Sequence, residues 1–164
     1  MRHIISILLQ NEAGALSRVS NLFSSRGYNI ESLNVAPTAD ESVSRLTLVT
    51  SGSDEVIDQI AKQLGKLVDV VDITDMTSAD HIERELALVK LHIDDGAKTL
   101  EQLIDGFNAR ILDDRQGHYT IELTGGSQDI ERFIARAGGV GDLATIVRSG
   151  AMAVTRGAPR FGRG

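Results

Sequence analysis

The chain opens on Ile4–Leu9, an almost uninterrupted apolar run too short for a helix, which predicts a buried strand. The turn residues Gln10-Asn11-Glu12-Ala13-Gly14 close it. Leu16, Val19, Leu22 and Phe23 then recur at helical spacing up to Arg26-Gly27, where a glycine commonly terminates a helix. Asn29–Val35 and Val43–Val49 read as strands on either side of a turn region, Pro37–Glu41. A second helix is predicted from Asp54 to about Leu64, with Ser53 as N-cap and Val56, Ile57, Ile60, Ala61 and Leu64 on one face. Leu67–Ile73 completes the unit as a strand. The order βαββαβ is the ferredoxin-like split βαβ arrangement.

After the polar stretch Asp75–Asp80 the pattern starts again. Leu86–Ile93 reads as a strand, and Leu100, Leu103, Ile104 and Phe107 form a helical stripe. Strands follow near Arg110–Asp113 and Tyr119–Thr124. A helix after Ser127 carries Ile130, Phe133, Ile134 and Ala137 on one face, Gly138 stops it, and a last strand covers Leu143–Arg148. The repeat is visible residue by residue: Thr50, Gly52, Ser53, Val56, Ile60 and Ala61 meet Thr124, Gly126, Ser127, Ile130, Ile134 and Ala135 at one fixed offset. Arg2, Leu9, Gly14 and Ala15 meet Arg84, Leu91, Gly96 and Ala97 at another. The fold class expected is therefore α+β, with two tandem ferredoxin-like domains over residues 1–75 and 82–157 and a flexible tail over 158–164.

Composition narrows the picture. Two domains share 164 residues, and units of that size bury only about 60% of their unfolded surface, so association with another surface is expected. The fractions of 41% hydrophobic and 24% charged residues, with only 2 prolines, are those of a folded globular protein. No apolar run reaches the roughly 18–20 residues that span a bilayer, and the start is too quickly polar for a signal peptide, so a cytoplasmic address is expected. The absence of cysteine removes disulfides, thiolate metal sites and Cys nucleophiles together. The net charge is −6, and three of the arginines, Arg156, Arg160 and Arg163, lie in an acid-free segment from Thr155 that reads as a frayed, Gly-rich end. The rest is more acidic still, which with no Trp and few other aromatics argues against nucleic-acid binding.

Function is sought where the two copies differ, because a fold alone does not specify activity. In copy one the first turn is Asn11-Glu12-Ala13-Gly14-Ala15-Leu16; in copy two it is Ile93-Asp94-Asp95-Gly96-Ala97-Lys98, so an amide has become apolar. At the next strand Asn29-Ile30 faces Arg110-Ile111. Gly14 lets the backbone approach a ligand, and the helix beginning there offers unpaired N–H groups and a positive dipole end to a carboxylate. Asn11 and Asn29 carry donors and acceptors without net charge, which suits a zwitterion, and Leu16 and Ile30 favour an apolar side chain on it. A small α-amino acid fits. The same residues also allow a plainer role, with Asn11 capping the turn and Asn29 starting a strand.

Other constellations carry less. His3, His81, His92 and His118 show no paired ligand spacing, no phosphate loop is present, and no metal site is expected. Asp94-Asp95 and Asp113-Asp114 are adjacent pairs whose side chains point to opposite faces of a strand, so turns and solvated edges are expected there rather than acid–base catalysis, and no catalytic residue is assigned.

The segments Asn11–Val19, Phe23 with Arg26–Leu33, and Val35–Thr38 carry a resemblance to the small regulatory subunits of acetolactate synthase, or acetohydroxyacid synthase, whose first half is an ACT domain. Ser44–Thr47, Lys62–Leu64, Lys66–Val70, Glu83–Leu86, Leu88–Lys90, Tyr119-Thr120 and Arg148–Gly150 extend it over nearly the whole chain; residues 94–117 match weakly. The resemblance implies a non-catalytic subunit that stimulates a separate catalytic large subunit and makes it sensitive to feedback inhibition by valine. Thiamine diphosphate, Mg and FAD would belong to that partner, and this chain would hold no cofactor. It further implies a homodimer through the ACT domains, with Asn11, Gly14, Ala15 and Leu16 of one chain and Asn29 and Ile30 of the other lining the effector site. A stand-alone ACT sensor that controls another enzyme or a transcriptional regulator would use the same residues, and an enzyme with an unrecognised active site is a third possibility.

Overall fold

The computed structural model describes residues 1–94 and 97–157. Asp95 and Gly96 of the second turn, and the expected tail over 158–164 with Arg160 and Arg163, lie outside the described residues. By compactness the chain divides into two units, Met1–Ile82 with the segment from Ala151 onward, and Glu83–Gly150.

In the first unit β1 (Arg2–Gln10), α1 (Ala15–Ser25), β2 (Ile30–Pro37), β3 (Val43–Ser51), α2 (Asp54–Leu64) and β4 (Val70–Asp75) follow the βαββαβ order. The antiparallel sheet runs β2-β3-β1-β4. The apolar run is continuous because β1 is central and covered on both faces. Ile5, Ile7 and Leu9 pack with Val19 and Phe23 of α1 and Ile57, Ile60 and Leu64 of α2. Ile4, from the opposite face, joins Val49, Met76, Ala151 and Ala153 in a second buried cluster.

The second unit repeats the plan with β5 (His81–His92), α3 (Ala97–Phe107), β6 (Arg110–Arg115), β7 (His118–Gly125), α4 (Ser127–Ala137) and β8 (Asp142–Arg148). Its order, β6-β7-β5-β8, is the same permutation. Ala87, Val89 and Leu91 of β5 pack with Leu100, Leu103, Ile130 and Phe133. Buried Glu85 is gripped bidentately by Arg148, at 2.8 and 2.9 Å. These hydrogen bonds to Glu85, with a smaller effect from the one to Glu131, raise the Arg148 guanidinium above its ordinary value.

Two expectations need correcting. The strand read from Leu67 begins at Val70, because Gly65–Asp69 form hydrogen-bonded turns, with Leu67 N–H on Leu64 C=O and Val70 N–H on Leu67 C=O, and leave Val68 89% exposed. Ser53 is the N-cap of α2, as expected, without a side-chain cap bond. Thr155 is not frayed: it ends β9 (Met152–Thr155), which pairs with β5, and the Arg156 N–H donates to the Asp80 carbonyl. No helix among the described residues is long and apolar enough to cross a membrane.

Candidate functional site

The turn after β1 is held by backbone bonds on both sides. Gln10 N–H donates to Asp69 C=O at 2.7 Å and Asn11 N–H to Ser42 C=O at 2.7 Å. Gly14 then takes φ +86°, a left-handed conformation that L side chains rarely adopt, and becomes the N-cap of α1 without any side-chain cap bond. Ala15 N–H reaches Glu12 C=O and Arg18 N–H reaches Gly14 C=O, which leaves the N–H groups of Leu16 and Ser17 without helical carbonyls. No acidic residue occupies the first turn of α1. Its positive end therefore stays available to an anion.

A cleft of about 220 Å³ opens beside this helix start. Leu9, Asn11, Ala15 and Leu16 line one side, and Val35, Ala36 and Pro37 of β2 the other. Leu16 and Val35 are apolar yet 37% and 39% exposed. Asn11 donates its Nδ2 to the Glu41 carbonyl at 2.9 Å, so the plainer turn role is real; its Oδ1 has no partner among the described residues and still offers an acceptor.

The structure brings Asn11, Ala15 and Leu16 together, with Gly14 in the same turn, but not Asn29 and Ile30. Ile30 pairs with Thr50, whose hydroxyl donates to the Asn29 carbonyl at 2.6 Å, whereas Pro37 at the cleft pairs with Ser44. At a strand rise of about 3.3 Å per residue, the two ends of β2 lie about 23 Å apart. One chain cannot place Asn11 and Asn29 around one small ligand. The strand that separates them is, however, an edge strand, with one side of its backbone open for pairing.

The second copy keeps the scaffold and loses the chemistry. Ile93 N–H donates to Gly117 C=O at 2.9 Å, the same backbone bond that Asn11 makes to Ser42, but its side chain is 7% exposed and belongs to the core. The expected match of Asn29-Ile30 to Arg110-Ile111 does not survive the ladder. Arg110 pairs with Glu122, three residues before Gly125, the ladder counterpart of Thr50, whereas Ile30 pairs with Thr50 itself, so β6 begins later and has no strand residue at the Ile30 position. His92 and His118, distant in sequence, are register partners whose rings stack at 4.5 Å. No third side chain turns them into a metal cluster among the described residues. Asp113 of its adjacent pair is taken up by Arg115 at 3.1 Å.

Sequence reasoning missed the support behind the turn. Arg18 grips the buried Asp69 with two bonds, Nε–Oδ2 at 2.5 Å and Nη2–Oδ1 at 2.7 Å. The hydrogen bond from Arg18 holds the Asp69 carboxyl below its ordinary range against the opposing effect of burial, and the same bond raises the guanidinium. Both residues sit in segments that carry the family resemblance, but only the fold shows that they meet.

A βαββαβ sheet repeated in tandem, with an open cleft at the first helix start of the first copy, defines an ACT-domain protein of two ferredoxin-like domains. Residues 5–72 match the AHAS small subunit-like ACT domain, and residues 84–157 match the small subunit of acetolactate synthase. The chain belongs to the acetolactate synthase small subunit family. It is 44% identical over 158 residues to the acetolactate synthase isozyme 3 small subunit of Salmonella typhimurium, covering 96% of this chain and 97% of that one. A probable acetolactate synthase small subunit of Archaeoglobus fulgidus is 38% identical over 160 residues, covering 96% and 98%. The crystal structure of the acetolactate synthase small subunit from Thermotoga maritima superposes with a TM-score of 0.86 at 34% identity, covering 96% of this chain and 99% of that one.

Proposed function

We propose that this chain is the regulatory subunit of acetolactate synthase: it docks on the thiamine-diphosphate-dependent catalytic large subunit, stimulates it, and makes it sensitive to valine in branched-chain amino-acid biosynthesis. Thiamine diphosphate, Mg and FAD reside in that partner, the chemistry takes place there, and the complex is cytoplasmic. The observation that carries the reading is Asn11, which lines a cleft in the copy that matches the ACT domain and whose place is taken by core-bound Ile93 in the other.

The open edge of β2 supplies the rest of the site. Pairing β2 with its counterpart in a second copy, antiparallel about a two-fold axis, sets the Ile30 end of one chain against the Pro37 end of the other. Asn29 and Ile30 of one subunit then complete the cleft formed by Asn11, Gly14, Ala15 and Leu16 of its partner. The helix N-terminus receives the effector carboxylate, the amides receive its ammonium and remaining carboxylate oxygen, and Leu16 and Ile30 receive the branched side chain. Valine bound more tightly to one arrangement of the paired units shifts the population the catalytic subunit meets, and partner and effector are reciprocally coupled.

The test is acetolactate formation by the catalytic subunit of the same organism, with and without this chain and with and without valine. Stimulation that valine reverses is expected. No effect on catalysis would favour a stand-alone amino-acid sensor, and turnover of pyruvate by this chain alone would make it an enzyme. Asn11→Ala and Asn29→Ala should each weaken valine inhibition far more than stimulation; equal loss of both would show the site to be misplaced.

A further inference from the structure

We propose that Arg18 and Asp69 form a clamp that positions the effector turn, so that their ion pair sets effector affinity although neither side chain lines the cleft. The inference rests on the effector reading above. Asp69 holds the chain on both sides of the turn: its carbonyl accepts the Gln10 N–H just before it, and its carboxylate takes the Arg18 fork one helical turn after it. The segment Asn11–Gly14 is thereby closed against a single residue that is 4% exposed. Arg18 also lies directly over the left-handed glycine, since a Cβ built on Gly14 would stand 3.0 Å from Arg18 Nη1.

The sheet order puts this clamp behind the site. β4 and the turn preceding it flank β1 on one side, while β3 and β2 flank it on the other. The cleft takes its lining from β1, the following turn, α1, β2 and β3 and from nothing at Gly65–Asp69. Arg18 and Asp69 are therefore positioning residues. The second copy agrees. By helix position Leu100, in the core, stands where Arg18 does, and by ladder register Asp142, exposed, stands where Asp69 does. The clamp belongs to the first copy, in which Asn11 lines the cleft.

Calorimetry with L-valine on the full-length protein tests this, using Asp69→Asn, Arg18→Lys and the double variant. Asp69→Asn is expected to raise the valine Kd at least tenfold. Arg18→Lys keeps the charge but loses the planar fork, so it should give a smaller rise. The double variant should bind no more weakly than Asp69→Asn alone, because the two groups act as a unit. Glu85→Gln, which breaks the buried pair of the second unit, separates positioning from general loss of structure: it should lower the thermal midpoint and leave valine Kd within twofold of wild type. Wild-type affinity in both single variants, each shown by circular dichroism to be folded, overturns the clamp while leaving the effector reading intact; so do losses that multiply in the double variant. A wild-type protein that binds neither valine, leucine nor isoleucine overturns both.

Discussion

Gly14→Ala tests whether the effector turn depends on a left-handed residue. Gly14 sits at φ +86°, and an L-residue held in that region costs roughly 1–2 kcal/mol. Loss of chain entropy in the unfolded state returns about 0.4–1 kcal/mol when glycine becomes alanine. The new methyl must also be accommodated 3.0 Å from Arg18 Nη1. That guanidinium cannot simply swing away, because its Nε and Nη2 are already spent on Asp69 at 2.5 and 2.7 Å. Strain less the entropy return comes to about 0–1.6 kcal/mol, and the crowding of Arg18 adds to it, so the net expectation is destabilisation of the first unit by about 1–2 kcal/mol. Urea unfolding followed by circular dichroism reads this directly, with the midpoint falling at unchanged slope. Because about 1.4 kcal/mol is a factor of ten, the same strain felt at the site should weaken valine binding at least several-fold. A variant as stable as wild type that also binds valine as tightly would refute the argument.

Mixing Asn11→Ala chains with Asn29→Ala chains should restore valine binding, since a heterodimer places both substitutions in one site and leaves the other intact. With random exchange about a quarter of all sites recover, and no recovery by calorimetry would refute a site shared between Asn11 of one chain and Asn29 of the other. Phe133→Ala removes a fully buried ring that meets Phe107 edge-on at 5.4 Å and should destabilise the second unit by about 3–5 kcal/mol in urea; a loss under about 1 kcal/mol would mean that the core collapses to fill the space. The Asp69 carboxyl lies below its ordinary 3.8 in the folded state, so its contribution is fully present above that value and is lost as pH falls below it through the lower folded-state value. The stability gap between wild type and Asp69→Asn should therefore close on acidification, and a gap that widens would reverse the assigned sign.

Much of this was legible in the chain because burial has a strong period. Ile4–Leu9 reads as a buried strand because β1 is central, and the α1 and α4 stripes read as helices because Val19, Phe23, Ile130 and Phe133 all face a core. The contrast between Asn11 and Ile93 was visible too, since both occupy one backbone position with one hydrogen bond. What escaped depends on register and distant partners. Val70–Asp75 follows a turn whose apolar Leu67 and Val68 mimic a strand. Ala151 and Ala153 are too small to announce a buried strand, and His92 and His118 meet only through the β5–β7 ladder. The separation of Asn11 from Asn29 along one sheet follows from strand order, which no local pattern contains.

The return of Ala151 and Ala153 to the cluster of Ile4, Val49 and Met76 sets an order of events during synthesis. The first unit is translated first but completed last. At about 5–20 residues per second, the ribosome needs roughly 4–15 s to travel from Met76 to Ala153, and for that interval the outer face of the nascent sheet lacks its cover. The second unit, closed at Gly150, has every residue it needs before its neighbour does. A fragment cut after residue 75 would keep this vulnerable stage permanently, with Ile4 and Val49 facing water.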